Sequence, residues 1–378
     1  MRLDIRRLVQ SSIQQNCSYL KDSCSKQFII SSTFSHNERS LIDSIYKETI
    51  DFTTYLNKEN ALNNIKDGNK QYILHKFDNF IARHGMLIES LLTGNNNRND
   101  DYNKDKLVQI ELFIKQHISI LITLQHIHDN MKTAFSPNSR SSGHSNSKTI
   151  TYLKPVQLCN DVISEVKMLS DLTYLVTPDI LLSSSQSQSP ESSITHTDTT
   201  TSTTLYSVPS AHRFILFESL KNSVHATLKQ YQIDRLLSTS KLDSPEADRL
   251  YRDHTLTPFP LTYDSDTAEP IPPVYIHFTT TIDSYKYTLT DYGVGIPSNQ
   301  LDTCASLSSY FSKHMHNHTL LHTQNVSYQP QTSPFSGLGV GMFLNRIYCE
   351  LLGGRMAVTS GGRGRGTKVV FKFPRVIV

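Results

Sequence analysis

The chain has 378 residues and a formal net charge of +3 at pH 7, which is long enough for two domains that each bury a core. The charge is too small to require nucleic acid or an anionic membrane as a partner, and no long run of Lys and Arg occurs. No apolar run approaches the roughly 18 residues of a membrane span. The five cysteines form no CxxC pair, which excludes the usual zinc and redox motifs and indicates reduced, intracellular thiols.

Residues 1–25 are basic, with Arg2, Arg6 and Arg7 separated by apolar side chains and followed by several serines. This composition is typical of an amphipathic mitochondrial presequence. An ordinary basic helix at the edge of a domain explains the same residues equally well, and both interpretations stay open.

Residues 26–182 alternate helical patterns with polar breaks, which predicts a helical domain. Two stripes of apolar side chains recur at spacings of three and four residues, so each lines one face of a helix. The first stripe is formed by Ile110, Phe113, Ile114, Ile118 and Leu121, and the second by Val162, Val166, Leu169 and Leu172. Several such helices joined by short loops predict a bundle.

Residues 183–204 consist almost entirely of Ser, Thr, Gln and Pro. They offer little apolar surface to offset the entropy lost on ordering, which predicts a disordered linker or insertion. A phosphorylated or partner-binding tract is the functional alternative for the same composition.

Residues 205–378 change to a mixed pattern of helices and alternating strands, which predicts an α/β sandwich with a mixed or antiparallel sheet covered by helices on one face. The predicted elements are a helix from His212 to about Gln230, a hairpin of Val274–Ile282 and Tyr285–Thr290, a helix over Met342–Leu352, and the strands Met356–Thr359 and Lys368–Phe373.

Three polar side chains lie at helical spacing on the first of these helices. Glu218, Asn222 and His225 are four and three residues apart, so they share a face beside the apolar stripe. Asn can offer its oxygen to Mg²⁺, and Glu can orient or deprotonate a hydroxyl or a water. For the helix in isolation, a solvated polar face explains these residues as well.

A DxGxG sequence, residues 291–295, follows directly on a predicted strand. A buried Asp291 at the end of a strand can accept a hydrogen bond from an exocyclic amine such as that of adenine. Gly293 and Gly295 let the backbone approach a ligand without an intervening side chain. The motif alone is weak, because many turns contain it.

A GxGxG sequence leads into the helix that begins near Met342, so its amides and the positive helix end favour phosphate. It consists of Gly337, Leu338, Gly339, Val340 and Gly341. A dinucleotide-binding fingerprint would need a preceding strand, and a long polar segment stands there instead. Thr367, after Gly366, precedes the final strand, where its hydroxyl can support a purine edge.

The order of these elements resembles the N, G1, G2 and G3 boxes of the GHKL superfamily of ATPases and kinases. Within it, the chain resembles the mitochondrial 2-oxo acid dehydrogenase kinases, whose targets are pyruvate dehydrogenase and the branched-chain enzyme. Residues 217–227 are similar to the family's FELxKNxxRAT, residues 339–354 to its GxGLxxxRxYxEYxGG, and residues 364–367 to its GxGTD turn.

The resemblance implies an N-terminal four-helix bundle, a C-terminal GHKL (Bergerat) domain, and a homodimer or a heterodimer with a related kinase. It implies transfer of the ATP γ-phosphoryl group, with Mg²⁺, to a serine of the E1α subunit in the mitochondrial matrix, with docking on the lipoyl domain. Pyruvate dehydrogenase is the favoured substrate, and its phosphorylation is expected to inactivate it.

The resemblance also assigns roles to residues. Glu218 is expected to be the general base, Asn222 the Mg²⁺ ligand and Asp291 the adenine contact, while Gly337, Gly339 and Gly341 cradle phosphates. The other expected nucleotide contacts are Lys221, His225, Gly293, Gly295, Ser312, Leu338, Val340, Met342 and Thr367.

Two positions depart from the family pattern. His225 stands where the family has Arg, and Phe214 stands where pyruvate dehydrogenase kinases often have a His that supports the base. Two alternatives therefore stay open. The first is a two-component-type histidine kinase with His84 or His117 as acceptor, and the second is an ATP-binding, non-catalytic regulatory adaptor of the complex.

Overall fold

The computed structural model describes residues 150–186, 205–238, 270–306 and 341–375, together with single positions and short runs between residues 40 and 128. The chain divides into two compact units, Met1–Ile150 and Thr151–Val378. The predicted presequence, residues 1–25, lies outside the described residues.

The described positions between residues 40 and 128 are all helical. Ile110, Phe113 and Ile118 are each 1% exposed, whereas Val108 is 60% exposed, so burial is one-sided as the spacing predicts. Helical structure is confirmed at these positions. The four-helix arrangement remains a prediction, and Leu121 lies outside the described residues.

The second unit is an α/β sandwich, which confirms the predicted fold of the C-terminal domain. Its main sheet has the order β2-β4-β5-β7-β6, and β1 pairs with β3 in a separate two-stranded sheet. Only the β2–β4 pairing is parallel, so the main sheet is mixed. The elements are β1 Thr151–Leu153, α1 Pro155–Tyr174, β2 Ile180–Gln186, β3 Leu205–Ser207, α2 Pro209–Ser238, β4 Val274–Thr280, β5 Ser284–Asp291, α3 Ser298–Leu301, α4 Gly341–Leu351, β6 Arg355–Ser360 and β7 Thr367–Pro374.

One face of the main sheet forms the core with α1, α2 and α4. Successive strand residues point to opposite faces, so Val274, Ile276 and Phe278 of β4 are buried while Tyr275 between them is 40% exposed. The inward side chains of β5 and β7 join the same cluster as those of the three helices. Each large apolar side chain buried there contributes roughly 1.5–3 kcal/mol, and the opposite face of the sheet carries mostly polar residues.

The boundary between the units lies between residues 150 and 151, whereas the sequence predicted the end of the helical domain at residue 182. Helix α1 packs in the core of the second unit through Val162 and Val166, which are both fully buried, whereas Leu172 is 75% exposed and does not continue the stripe. A helical stripe predicts that a face is buried without specifying its partner. For this reason, residues 151–182 resembled a further helix of the bundle.

Residues 183–186 are strand rather than disordered linker. They complete β2, with Ser183 opposite His277 and Ser185 opposite Thr279 of β4. Pairing of the backbone with β4 orders these residues. The two hydroxyls also contact the His277 ring. Ser183 Oγ lies 2.7 Å from Nδ1, and Ser185 Oγ lies 3.1 Å from Nε2. The rest of the predicted linker, residues 187–204, lies outside the described residues.

His212 is a fully buried histidine at the start of α2. Its Nε2 lies 2.8 Å from Ser207 Oγ and 3.1 Å from Tyr285 Oη, and its ring packs against Tyr287 and Phe373. Burial disfavours the charged imidazolium and lowers the pKa of His212 to about 3. The folded protein therefore keeps this side chain neutral.

We predict that His212 makes the second unit sensitive to acid. Below pH about 6.5 the unfolded chain protonates this histidine and the folded chain does not. The free energy of unfolding therefore falls by about 1.4 kcal/mol per pH unit until pH about 3. Urea unfolding measured from pH 7 to 4 gives the free energy of unfolding as a function of pH. In the His212→Gln variant the slope of this plot should be shallower by about 1.4 kcal/mol per pH unit. The exposed control Asn160→Gln involves no ionisable group and should keep the slope of the unmodified chain, and a His212→Gln slope equal to it would contradict the prediction.

Candidate functional site

Helix α2 presents the polar residues that the sequence singled out. Lys221 Nζ lies 2.8 Å from Glu218 Oε1, and both side chains are largely buried, with 7% and 17% exposed. Asn222, one turn after Glu218, is exposed. The helix therefore holds a carboxylate, fixed at one oxygen by an ammonium group, next to an accessible carboxamide.

Helix α4 begins directly against this carboxylate. A Cβ built on Gly341 would lie 2.7 Å from Glu218 Oε2, so a residue with a side chain there would press on the carboxylate. Within the described part of the chain, Oε2 accepts no hydrogen bond. The start of a helix carries unpaired amides and partial positive charge, which attract anions. A carboxylate oxygen and an anion-binding helix end thus share one place.

Two further contacts set the position of α4 on α2. Asn345 Nδ2 donates to Ser219 Oγ at 2.9 Å, and both residues are almost fully buried. One turn away, the rings of Phe214 and Tyr348 pack with centroids 4.9 Å apart. Phe214 therefore serves in packing the two helices, at the position where the resembling family often has a histidine.

Asp291 is the centre of a second polar network, at the end of β5, and it is 4% exposed. Its Oδ1 accepts hydrogen bonds from the backbone amides of Gly293 at 3.0 Å and Thr367 at 3.1 Å, and Ser223 Oγ donates to Oδ2 at 3.0 Å. The donors come from the glycine turn, from β7 and from α2. An open depression lies beside this carboxylate at the ends of β5, β6 and β7.

Burial raises the pKa of Asp291 to about 6, and the hydrogen bonds from Gly293, Ser223 and Thr367 oppose that rise. The group is therefore mainly ionised at pH 7. Each oxygen of a carboxylate has more than one acceptor site, so Oδ2 can accept another hydrogen bond beside that of Ser223. An amine on a ligand is the kind of donor that such a buried acceptor would select.

The structure explains why both positions of the DxGxG turn require glycine. A Cβ on Gly293 would clash with the backbone of Ala226 in α2, and Gly295 has a φ of +71° and packs against the carbonyl of Gly362. Val294 N donates to the Ala226 carbonyl at 3.2 Å. The turn is thereby held against α2, which is the helix that carries Glu218 and Asn222.

The remaining predicted site residues have separate positions. Thr367 meets Asp291 through its backbone amide, and Met342 packs against the core. His225 Nδ1 lies 2.8 Å from Tyr174 Oη of α1, so its ring is engaged by α1. The other members lie outside the described residues, and they are Ser312, Gly337, Leu338, Gly339 and Val340.

Besides Asn345, two residues that organise the site were given no role by the sequence. Ser223 follows Asn222 and belongs to no motif, so only its contact with Asp291 identifies it. Arg346 Nε donates to the Ala305 carbonyl at 2.9 Å, which ties the segment after α3 to α4. Its place in the GxGLxxxRxYxEYxGG pattern was a signal for Arg346, whereas no sequence signal marked Ser223.

The fold and these two networks define a nucleotide-binding α/β sandwich of the GHKL class. In agreement, residues 262–377 match the family of histidine kinase-, DNA gyrase B-, and HSP90-like ATPases. The C-terminal unit therefore contains a GHKL ATPase domain, and such domains bind ATP, usually with Mg²⁺. The match includes Asp291 and α4 and does not extend to α2.

No curated protein matches the chain at a significant level of sequence similarity. Among the described helices, none has the length and apolar character needed to cross a bilayer.

We predict that ATP affinity depends on the ionisation of Asp291. Below pH about 6 the protonated group can no longer accept the amine hydrogen bond fully, so affinity should fall as the pH is lowered. Asp291→Asn should weaken ATP binding by about 10- to 150-fold, the usual loss for a hydrogen bond to a charged group. Calorimetric titration with ATP from pH 8 to 5 should also show that the affinity of the Asp291→Asn variant does not have this fall below pH about 6. Parallel pH curves for the two proteins would contradict the prediction.

We also predict that the Asn345–Ser219 contact stabilises the α2–α4 pair. Asn345→Ala should lower the free energy of unfolding by about 1–3 kcal/mol, because Ser219 loses its partner in a buried position. Exposed Asn160→Ala is the matched control and should have little effect. A double-mutant cycle with Ser219→Ala should give a coupling of at least about 0.5 kcal/mol, and additive effects would contradict direct coupling.

Proposed function

We propose that this chain is an ATP-dependent protein serine kinase of the mitochondrial matrix. Its proposed target is the E1α subunit of a 2-oxo acid dehydrogenase complex, first of all pyruvate dehydrogenase, which it would inactivate. The observation that carries the proposal is the Glu218 carboxylate against Gly341 at the start of α4. The resemblance of residues 217–227 and 339–354 to the dehydrogenase kinases supports the choice of target.

The chemistry follows from this juxtaposition. A phosphoryl group held at the start of α4 would lie beside Glu218, so Oε2 can take the proton of an attacking serine hydroxyl as the Oγ–P bond forms. Lys221 holds Oε1 and so restricts the orientation of the carboxylate. Asp291, with Ser223 and Thr367, would bind the adenine and fix the register of the nucleotide.

Asn222 fits the role of magnesium ligand, because its carboxamide is exposed on the same helix one turn after Glu218. Bound Mg²⁺ would neutralise charge on the phosphates. His225 is not included among the phosphate contacts in this proposal, since Tyr174 engages its ring.

The Glu218–Lys221 ion pair also favours a second candidate, an ATP-binding adaptor that regulates the complex without catalysis. A carboxylate that an ammonium group already holds can serve as a structural contact of the helix instead of acting as a base. A histidine kinase is the third candidate, because the matched family includes such enzymes. The acceptor candidates His84 and His117 lie outside the described residues.

The deciding experiment is Glu218→Gln. If Glu218 is the base, phosphate incorporation into purified pyruvate dehydrogenase E1 should fall by at least about 100-fold, while ATP affinity changes little. Glu165→Gln, an acidic residue paired with Arg213 on the outside of α1, is the control and should retain activity.

Labelled ATP with the pyruvate and branched-chain E1 proteins, each with and without its lipoyl-bearing core, separates the candidates. Acid-stable phosphoserine on E1α supports the kinase, and the preferred E1 identifies the complex. Acid-labile phosphate on the chain itself would support the histidine kinase. Regulation of the complex that survives Glu218→Gln unchanged, with ATP still bound, would support the adaptor.

A further inference from the structure

Three cations stand side by side across three neighbouring strands of the main sheet. Lys286 of β5 pairs with Lys372 of β7, and Lys372 pairs with Arg355 of β6. All three are exposed. We call Lys286, Lys372 and Arg355 the cation row.

The cation row lies on the face of the sheet opposite the helices. Lys286 stands between Tyr285 and Tyr287, and Lys372 stands between Phe371 and Phe373, and all four aromatic residues are buried in the core. Because strand residues alternate between faces, the two lysines point outward. Arg355 belongs to the same row by its pairing and precedes Met356, which packs against the core.

In the described part of the chain, no acidic side chain balances the positive charges of the cation row. Neighbouring strands are about 4.8 Å apart, and like charges directly opposite each other destabilise a sheet. The other outward residues of the five strands are hydroxyl, aromatic, aliphatic or basic, with no Asp or Glu among them. None of the three cations forms a salt bridge with a described residue, including Asp283 in the turn before β5.

The row is separate from the nucleotide network. Lys286 and Asp291 lie on opposite faces of β5 and five residues apart, which is about 16 Å along a strand. Neutralising the row therefore leaves Asp291, Glu218 and their partners in place. An external partner for these charges would bind independently of ATP.

The chemistry of the surrounding surface selects the kind of partner. Thr279 of β4 pairs with Lys286 and Ser185 of β2 pairs with Thr279, so the row continues in hydroxyl donors. No apolar side chain that could insert into a membrane stands in it. Exposed Tyr275, which could stack on a base, lies four residues from Thr279, about 13 Å along β4. Carboxylates match this surface better than a bilayer or a nucleic acid.

We propose that the cation row docks an acidic segment of a partner protein. Residues at positions i and i+4 of a helix have their Cβ atoms roughly 5–6 Å apart, which is close to the spacing of the row, so acidic side chains at these positions can reach neighbouring cations. Two or three of them would each meet a cation and relieve the repulsion between strands. A second copy of this chain, apposed row to row, would instead bring six cations together.

The proposal predicts opposite effects of one substitution on binding and on stability. The probe is a labelled helical peptide with Glu at every fourth position, and its Gln counterpart is the control peptide. Lys372→Gln in the full chain should weaken binding of the Glu peptide about threefold to tenfold. It should also raise the Tm by about 1–3 °C, because the central charge of the row is removed.

Lys286→Gln and Arg355→Gln should have the same effects in smaller measure, since each has one charged neighbour in the row. Lys154→Gln, at an exposed lysine before α1, should change neither binding nor Tm. At about 0.5 M salt the differences between the chain and its variants should largely vanish.

Four results would overturn the proposal. The first is unchanged peptide binding in Lys372→Gln, and the second is a fall in Tm, which would mean that the lysine has a partner in the full chain. The third is row-dependent binding of an oligothymidylate or of phosphatidylserine vesicles that exceeds that of the Glu peptide. A change in sedimentation of Lys372→Gln would likewise assign the surface to self-association instead.

Discussion

The buried carboxylate of Asp291 is the constraint on which the arrangement of α2, the glycine turn and β7 depends. A charged group removed from water is costly unless hydrogen bonds replace its hydration. Here the three donors come from α2, from the glycine turn and from β7. Satisfying one carboxylate therefore fixes three separate elements against each other, and the residual rise in its pKa shows that burial is not fully compensated.

The second constraint is the packing of α4 against α2. Helix packing by apolar side chains alone tolerates sliding, whereas the buried Asn345–Ser219 hydrogen bond has one satisfactory position. The ring contact between Phe214 and Tyr348 fixes the other end of the interface. Together they place Gly341 against Glu218, and so they determine where an anion at the helix start would meet a basic oxygen.

The main sheet separates two kinds of chemistry. Its inner face carries the aromatic and aliphatic core and ends in the nucleotide network, while its outer face carries the cation row and hydroxyl groups. Because side chains alternate along a strand, each strand contributes to both surfaces at once. A domain that binds ATP can in this way present a second, independent surface on the same sheet.

Much of this architecture follows from local patterns. The β4–β5 hairpin, helices α2 and α4 and the last two strands were predictable because period-two and period-3.6 burial leaves a direct trace in the sequence. The DxGxG turn was recognisable as a candidate site because Asp291 ends a strand and the glycines permit close approach. The polar strand end at Ser183–Ser185 was not predictable, since backbone pairing with β4 orders it and leaves no apolar signature.

The sequence by itself determined the class of domain and named candidate residues for its nucleotide site, because those motifs carry local chemistry. Only the tertiary structure decided which partners they meet. Helix α1 belongs to the second unit because the sheet buries Val162 and Val166, and Ser223 became part of the site because α2 passes beside Asp291. The cation row exists only through strand register, which brings together residues 286, 355 and 372. Such contacts depend on distant segments, and no local spacing records them.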